Sequence, residues 1–360
     1  MHRSLCFILI EKQMEMLDYS YTGELNETFS ESIVPPILQG SFGILGNFLA
    51  LFLLFHHSNV HRWGTFYKYV FALAVTDVNG LLLHYPVAIA RYASDFEFEF
   101  PKKFCCFDVF LFSFSFLSSA MIVCAMSCDR LFAVKYPFIY RSGNHKTKRI
   151  LFTIWIFSAL VASFPLLGFG SVQMYYPGTW CFINFASLRR LDRINTYVYS
   201  SLCLLILLIT AITNTAVIHS ICQHDRTDII SSNEFERRKR KNDETYIVTL
   251  MLSIVILSSV CWIPLLVRML INASASDPNN GPEELQAVRL TISNAIIDPW
   301  IYIILQKKNL VKISRLIRRI RNRKQFPAII ITEESKYVRA GTNLTGGNSS
   351  MNTNTISTRV

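Results

Sequence analysis

Hydrophobic residues along this chain gather in seven long blocks, at about 33–56, 66–91, 104–129, 149–170, 194–219, 246–269 and 285–305. Each is near the ~20 residues that a helix needs to cross the hydrocarbon core of a bilayer. Core helices of soluble domains are shorter and polar along one face. The pattern therefore predicts an all-α integral membrane protein, a seven-transmembrane helix bundle over 33–305. The first, fourth, fifth and sixth blocks have uncharged cores, whereas the second, third and seventh carry Asp77, Asp108 and Asp298.

The segments outside the blocks have their own patterns. Residues 1–32 are polar, hold a sequon at Asn26 and read as an exposed tail. After Leu305, the residues Leu310, Ile313, Leu316, Ile317 and Ile320 recur at helical spacing among cations. This predicts a C-terminal amphipathic helix over 306–324, lying on anionic membrane lipid. Residues 325–360 are rich in Asn, Ser, Thr and Gly and read as a disordered tail. Its last residues, Thr358 to Val360, suit a PDZ protein that adds a strand, although so short a tail also matches by chance.

Composition agrees: 51% of residues are hydrophobic and only 17% are charged, against about 25% charged in soluble domains. The net charge of +11 sits between apolar blocks rather than along one face, which disfavours nucleic acid as its partner. The nine cysteines form no CxxC pair, so no zinc or redox motif is present. No convincing signal peptide opens the chain; LCFILI is too short for one, and the first span would serve as the insertion signal.

Lys and Arg crowd the connections after the third and fifth blocks, including Arg237 to Lys241, and nine more lie between Lys307 and Lys324. The opposite segments are poorer in cations and hold the sequons at Asn26 and Asn272, both expected to be glycosylated. By the positive-inside rule the N-terminus is extracellular, and the protein is a multi-pass component of the plasma membrane.

Polar residues inside spans mark function more often than filler. Asn294, Asp298 and Tyr302 recur at i, i+4 and i+8, and so share one helix face. With Asp77, Ser119 and Asn47 they can form a buried network that either glues helices or holds a sodium ion. Asp129 beside Arg130, at the inner end of the third span, can lock a closed state; the alternative is a snorkelling arginine. Arg289 and Asp298 lie nine residues apart, on nearly opposite faces of an ideal helix and roughly 13 Å apart along it. They predict two sites on one helix, an outer one at Arg289 and an inner one around Asp298.

Taken together, Gly46-Asn47, LAVTD ending at Asp77, Asp129-Arg130, Cys261-Trp262-Ile263-Pro264 and Asp298-Pro299-Trp300-Ile301-Tyr302 fall in order in five spans. They resemble the rhodopsin-type G-protein-coupled receptors over about residues 35–322. The resemblance implies a disulfide from Cys105 to Cys181, with neighbouring Cys106 as the competing partner. It implies an activation switch of Asp129, Arg130, Trp262, Pro264, Asp298, Pro299 and Tyr302. Arg130, Pro137 and Phe138 would meet the G protein, with arrestin as a further partner. A retinal protein needs a lysine in the seventh span, and this chain has none there; amine receptors carry an aspartate where Phe112 stands.

Tyr176 to Ile183 (YPGTWCFI), Leu285 to Arg289 (LQAVR) followed by DPWIYIIL, FYKYVFALAVTD, CAMSCDRLFAV and IPLLVRMLIN narrow the likeness. They resemble the prostanoid receptors, most of all the prostaglandin E receptors that act through Gs and raise cyclic AMP. That resemblance implies that Arg289 holds a prostanoid carboxylate, helped by Thr179 and Tyr92, with Leu285, Phe112, Phe116 and Trp180 around the ligand. Physically, a planar and permanently charged guanidinium above an apolar pocket suits a long fatty acid. Arg289 can equally snorkel to headgroups, and Arg91 and Arg268 are rival cations. Phe107, Phe110, Phe112, Phe114 and Phe116 are divided between pocket and lipid. Ala88, Phe116 and Leu131 depart from the residues that relatives carry there.

The readings in competition are a receptor for another lipid carboxylate or with other coupling, a transporter and an enzyme. The paired repeats of a transporter are not seen, and neither HExxH nor GxSxG occurs. No cofactor is implied beyond the sodium ion.

Overall fold

A computed structural model describes residues 32–56, 65–97, 101–136, 140, 146–227, 234–276 and 281–304, with the backbone alone for 102, 222 and 224–247. Expectations on Asn26, Pro137, Phe138, the helix over 306–324 and the tail to Val360 fall outside these residues. Seven helices follow in order: α1 Val34–His56, α2 Thr65–Ala93, α3 Lys102–Lys135, α4 Lys146–Ala162, α5 Arg190–Thr227, α6 Glu234–Ser274 and α7 Pro282–Ile304. Between α4 and α5 lies a two-stranded antiparallel hairpin, β1 Val172–Tyr175 and β2 Trp180–Ile183.

Helix boundaries follow local chemistry. Pro35 and Pro36 sit in the first turn of α1, and Pro282 opens α7; a missing N–H costs little there. The fourth block differs from expectation. Its helix stops at Ala162, well before residue 170, because Pro165 follows and starts a short 3-10 turn instead. Six helices are long and apolar enough to cross a membrane, and α4, at 17 residues, is shorter. Helices α5 and α6 run far past their apolar blocks, to 38 and 41 residues. Apolar length reports the thickness of hydrocarbon, whereas Glu, Lys and Arg continue a helix into water at little cost.

The bundle turns many large apolar residues outward and buries others together with small and polar ones. Phe42, Leu45, Phe48, Phe52 and Phe55 of α1 are all exposed, as on a surface whose solvent is lipid. The other face of α1 is lined by Gly40, Gly43 and Gly46, which admit Tyr85, Leu81 with Ile296, and Trp300 at separations no Cβ would tolerate. Leu81, Tyr85 and Ile296 form a core that locks α2 to α7. Hence α1, α2 and α7 pack as one tight layer, which positions everything described below.

Candidate ligand and switch sites

The hairpin closes one end of the bundle. Every residue of β2 is buried, and Cys181 is bonded to Cys105 near the start of α3, with Cα atoms 5.5 Å apart. Cys106 is a buried free thiol, so the pairing is decided for Cys105. Tyr175 stacks between Trp180 and Phe185, at centroid distances of 4.7 and 4.4 Å. Its hydroxyl donates to the Ile183 carbonyl and accepts from the Phe185 N–H. Burial pushes this phenol well above the usual tyrosine range, so it stays a neutral donor. Trp180 is 2% exposed and gives its indole N–H to the Tyr176 carbonyl at 2.9 Å. Trp180, expected at the ligand, has its one donor engaged within the hairpin.

The Arg289 guanidinium donates to the Tyr92 hydroxyl at 3.1 Å, from α7 to the end of α2. Leu285, one turn earlier on α7, and Thr179, at the hairpin turn, are both buried. The rival cations have other settings. Arg268 of α6 is ion-paired to Glu283 at 2.6 Å and to the fully buried Glu284, which also accepts from Asn272 Nδ2 and the Gly281 N–H. Arg91 lies over the Phe96 ring and within 3.7 Å of where a Cβ on Gly178 would sit. The Asn272 sequon is thereby corrected. Its amide is buried inside α6 and bonded to Glu284, so it offers no nitrogen for a glycan.

A cavity of about 60 Å³ opens toward the middle of the bundle, lined among others by His84, Phe112, Phe116, Trp262 and Ile292. Phe112 sits edge-on to Phe182 of the hairpin, and Phe116 edge-on to Trp262, with centroids 5.0 and 5.3 Å apart. Of the five α3 phenylalanines from Phe107 to Phe116, these two line the cavity; Phe110 stacks on Phe114 and Phe107 is 47% exposed. His84 faces Asp108 at 3.3 Å, and Asp108 also accepts from the Cys181 N–H at 3.4 Å. Sequence reasoning noted Asp108 as a charge in a span but gave it no role. Both residues interrupt apolar runs, which is a signal, but 24 positions separate them and nothing local pairs them.

Asp77, Ser119 and Asn294 of the predicted polar network also line this cavity. Ser119 donates to Asp77 Oδ1 at 2.8 Å, and Asn294 donates to Asp298 Oδ2 at 2.8 Å. Asp77 Oδ2, Asn294 Oδ1 and Asp298 Oδ1 are buried oxygens with no hydrogen-bond partner among the described residues. An oxygen-rich set of two carboxylates, a hydroxyl and an amide fits a hard cation such as sodium. Tyr302 is buried on the same helix face. Asn47 departs from expectation: its Nδ2 bonds the Gly43 and Ala295 carbonyls, so it clamps α1 to α7 rather than serving the carboxylates.

At the far end of α3, Arg130 donates to Asp129 at 2.8 Å and to the Tyr140 hydroxyl at 2.7 Å, while that hydroxyl donates to Asp129 at 2.8 Å. The guanidinium also lies over the rings of Phe66 and Tyr140. The expected acid–cation pair is therefore a closed triangle, and Tyr140 is the corner the sequence did not announce. Between the two ends, Thr291 of α7 donates to the Cys261 carbonyl, beside Trp262 and one turn before Pro264 in α6.

A hairpin tied to α3, a cavity above paired carboxylates and a locked arginine together define a seven-helix receptor. The family model described as "7 transmembrane receptor (rhodopsin family)" matches residues 46–302, and the chain belongs to that family. Squid rhodopsin shares the fold, with a TM-score of 0.70 and 19% identity over 83% of this chain and 88% of that one. Its sequence relatives are prostanoid receptors. The prostaglandin E2 receptor EP4 subtype of Rattus norvegicus is 28% identical over 81% of this chain and 68% of its own length. The human receptor of the same name is 28% identical, again over 81% and 68%. The prostacyclin receptor of Rattus norvegicus is 33% identical over 74% of this chain and 65% of its own length.

Proposed function

We propose that the protein is a receptor for prostaglandin E2 or a closely related prostanoid, with its N-terminus outside the cell, that activates Gs and raises cyclic AMP. The observation that carries this reading is the Arg289–Tyr92 pair, a guanidinium drawn from α7 to α2. A carboxylate placed there replaces or joins the tyrosine hydroxyl as a bidentate partner. Thr179 closes the site from the hairpin, and Leu285 and Phe112 cover the lipid chain.

The cavity below is smaller than the ~300 Å³ at which pockets for small molecules begin. The apolar body of the ligand then enters by moving Phe116, and Phe116 rests on Trp262. Displacing Trp262 swings α6 about Pro264, opens the Asp129–Arg130–Tyr140 triangle and frees Arg130 for the G protein, joined by Pro137 and Phe138. Sodium held by Asp77, Ser119, Asn294 and Asp298 favours the closed state. Arrestin and a PDZ protein are the further cytoplasmic partners. A receptor for another lipid acid, or with other coupling, is the alternative.

One experiment tests the ligand, coupling and orientation together. Cells expressing an N-terminally tagged receptor are stained intact, then dosed with prostaglandin E2 while cyclic AMP is followed. Wild type is expected to stain and respond; Arg289→Ala stains equally and loses roughly 10- to 100-fold in potency, the worth of a charge-assisted hydrogen bond. Retained potency in Arg289→Ala removes it from the carboxylate site, and a silent wild type at the surface overturns the ligand assignment.

A further inference from the structure

We infer that His84, held by Asp108, is the residue that reads a hydroxyl on the ligand, part-way along its apolar body. This rests on the reading of Arg289 as the carboxylate anchor and adds to it a second, specificity-determining contact.

The argument begins with what the imidazole has already spent. Its Nδ1 faces Asp108 Oδ1 at 3.3 Å, so the carboxylate accepts the Nδ1 proton and fixes that nitrogen as the donor. Asp108 itself is held by the Cys181 N–H of the hairpin, and its side chain is 4% exposed. The ring of His84 packs edge-on to Tyr85 and tilted on Phe112, with centroids 5.8 and 5.7 Å away. These contacts engage Nδ1 and the ring, on a side chain that lines the cavity. An imidazole nitrogen facing an apolar cavity is costly unless something bonds it.

Position decides what that something is. His84 lies eight residues before Tyr92 on α2, roughly 12 Å deeper along the helix than the Arg289–Tyr92 anchor. Ala88, a small side chain, stands between them on the helix. A lipid acid anchored at its carboxylate therefore passes His84 in mid-chain, with its apolar body against Phe112. A neutral imidazole with Nδ1–H presents an acceptor at Nε2, whereas a protonated one presents a donor. A hydroxyl satisfies both forms, and a plain hydrocarbon satisfies neither. The ligand is thus a lipid acid carrying a hydroxyl at that depth, as on the ring of prostaglandin E2, rather than an unsubstituted fatty acid.

The test compares prostaglandin E2 with its analogue lacking the ring hydroxyl, by competition binding on the full-length receptor in membranes. Wild type should prefer prostaglandin E2 by about tenfold or more. In His84→Leu that preference should fall to about unity, because affinity for prostaglandin E2 drops while that of the analogue is kept. His84→Gln, which keeps a polar end, should restore part of it. No preference in wild type overturns the inference without reference to any variant. Equal losses for both ligands in His84→Leu also overturn it, since a merely structural role would lower both. Failure of the carboxylate reading looks different: neither ligand would then be weakened by Arg289→Ala.

Discussion

Tyr140 shows how much one hydroxyl can hold. It accepts from Arg130 and donates to Asp129, so removing it takes two hydrogen bonds from the locked triangle while leaving the ion pair. Tyr140→Phe should therefore shift the balance toward the open state by about 1–2 kcal/mol, raising ligand-free nucleotide exchange on the G protein several-fold. Nucleotide exchange at matched receptor density, unchanged from wild type, would count against the triangle as a lock. Asp129 and Arg130 were legible because they are adjacent in the chain. Tyr140 was not, since a tyrosine ten residues on meets them only after the chain has turned beyond α3. His84 and Asp108 follow the same logic, each visible alone and their pairing hidden until α2 and α3 are side by side.

Among the elements, α1 depends most on what it lacks. A Cβ on Gly46 would lie 2.6 Å from the Trp300 indole nitrogen and 3.3 Å from Pro299, the proline inside α7. Gly46→Ala should cost about 1–3 kcal/mol through this overpacking and lower the thermal unfolding temperature in detergent. Ala substituted at exposed Leu45 is the control and should leave it nearly unchanged. Most of the helices themselves could be read from hydrophobic length. What could not be read was where α4 ends and how far α5 and α6 continue, because Pro165 and the helix-forming charged residues act on the backbone, not on hydropathy. The hairpin was legible only as a resemblance; its packing, with Trp180 turned into its own core, depends on the stack formed with Tyr175 and Phe185.

For the whole molecule, the two buried carboxylates Asp77 and Asp298 are the proposed link between the ligand end and the switch end. Asp77 and Asp298 each keep one oxygen without a hydrogen-bond partner among the described residues, beside Ser119 and Asn294. If sodium binds there and favours the closed state, replacing sodium by choline should raise agonist affinity several-fold in wild type. Asp77→Asn should abolish that difference; agonist competition binding in the two salts checks it, and a sodium effect that survives the substitution sinks the site. The grouping of these residues was legible from their spacing on α7, except for Asn47, whose place on α1 delivers it to backbone carbonyls instead.

Glu284 gives the molecule a mechanical asymmetry. It fastens α6 to α7 at the hairpin end through Arg268 and Asn272, while α6 extends 41 residues in all. From Pro264 back to the basic run near Arg240 is roughly 36 Å of helix, so a tilt of about 10° at the proline carries the far end some 6 Å. The clamp fixes the short outer end of α6, so the proposed swing about Pro264 would be carried by the long arm alone.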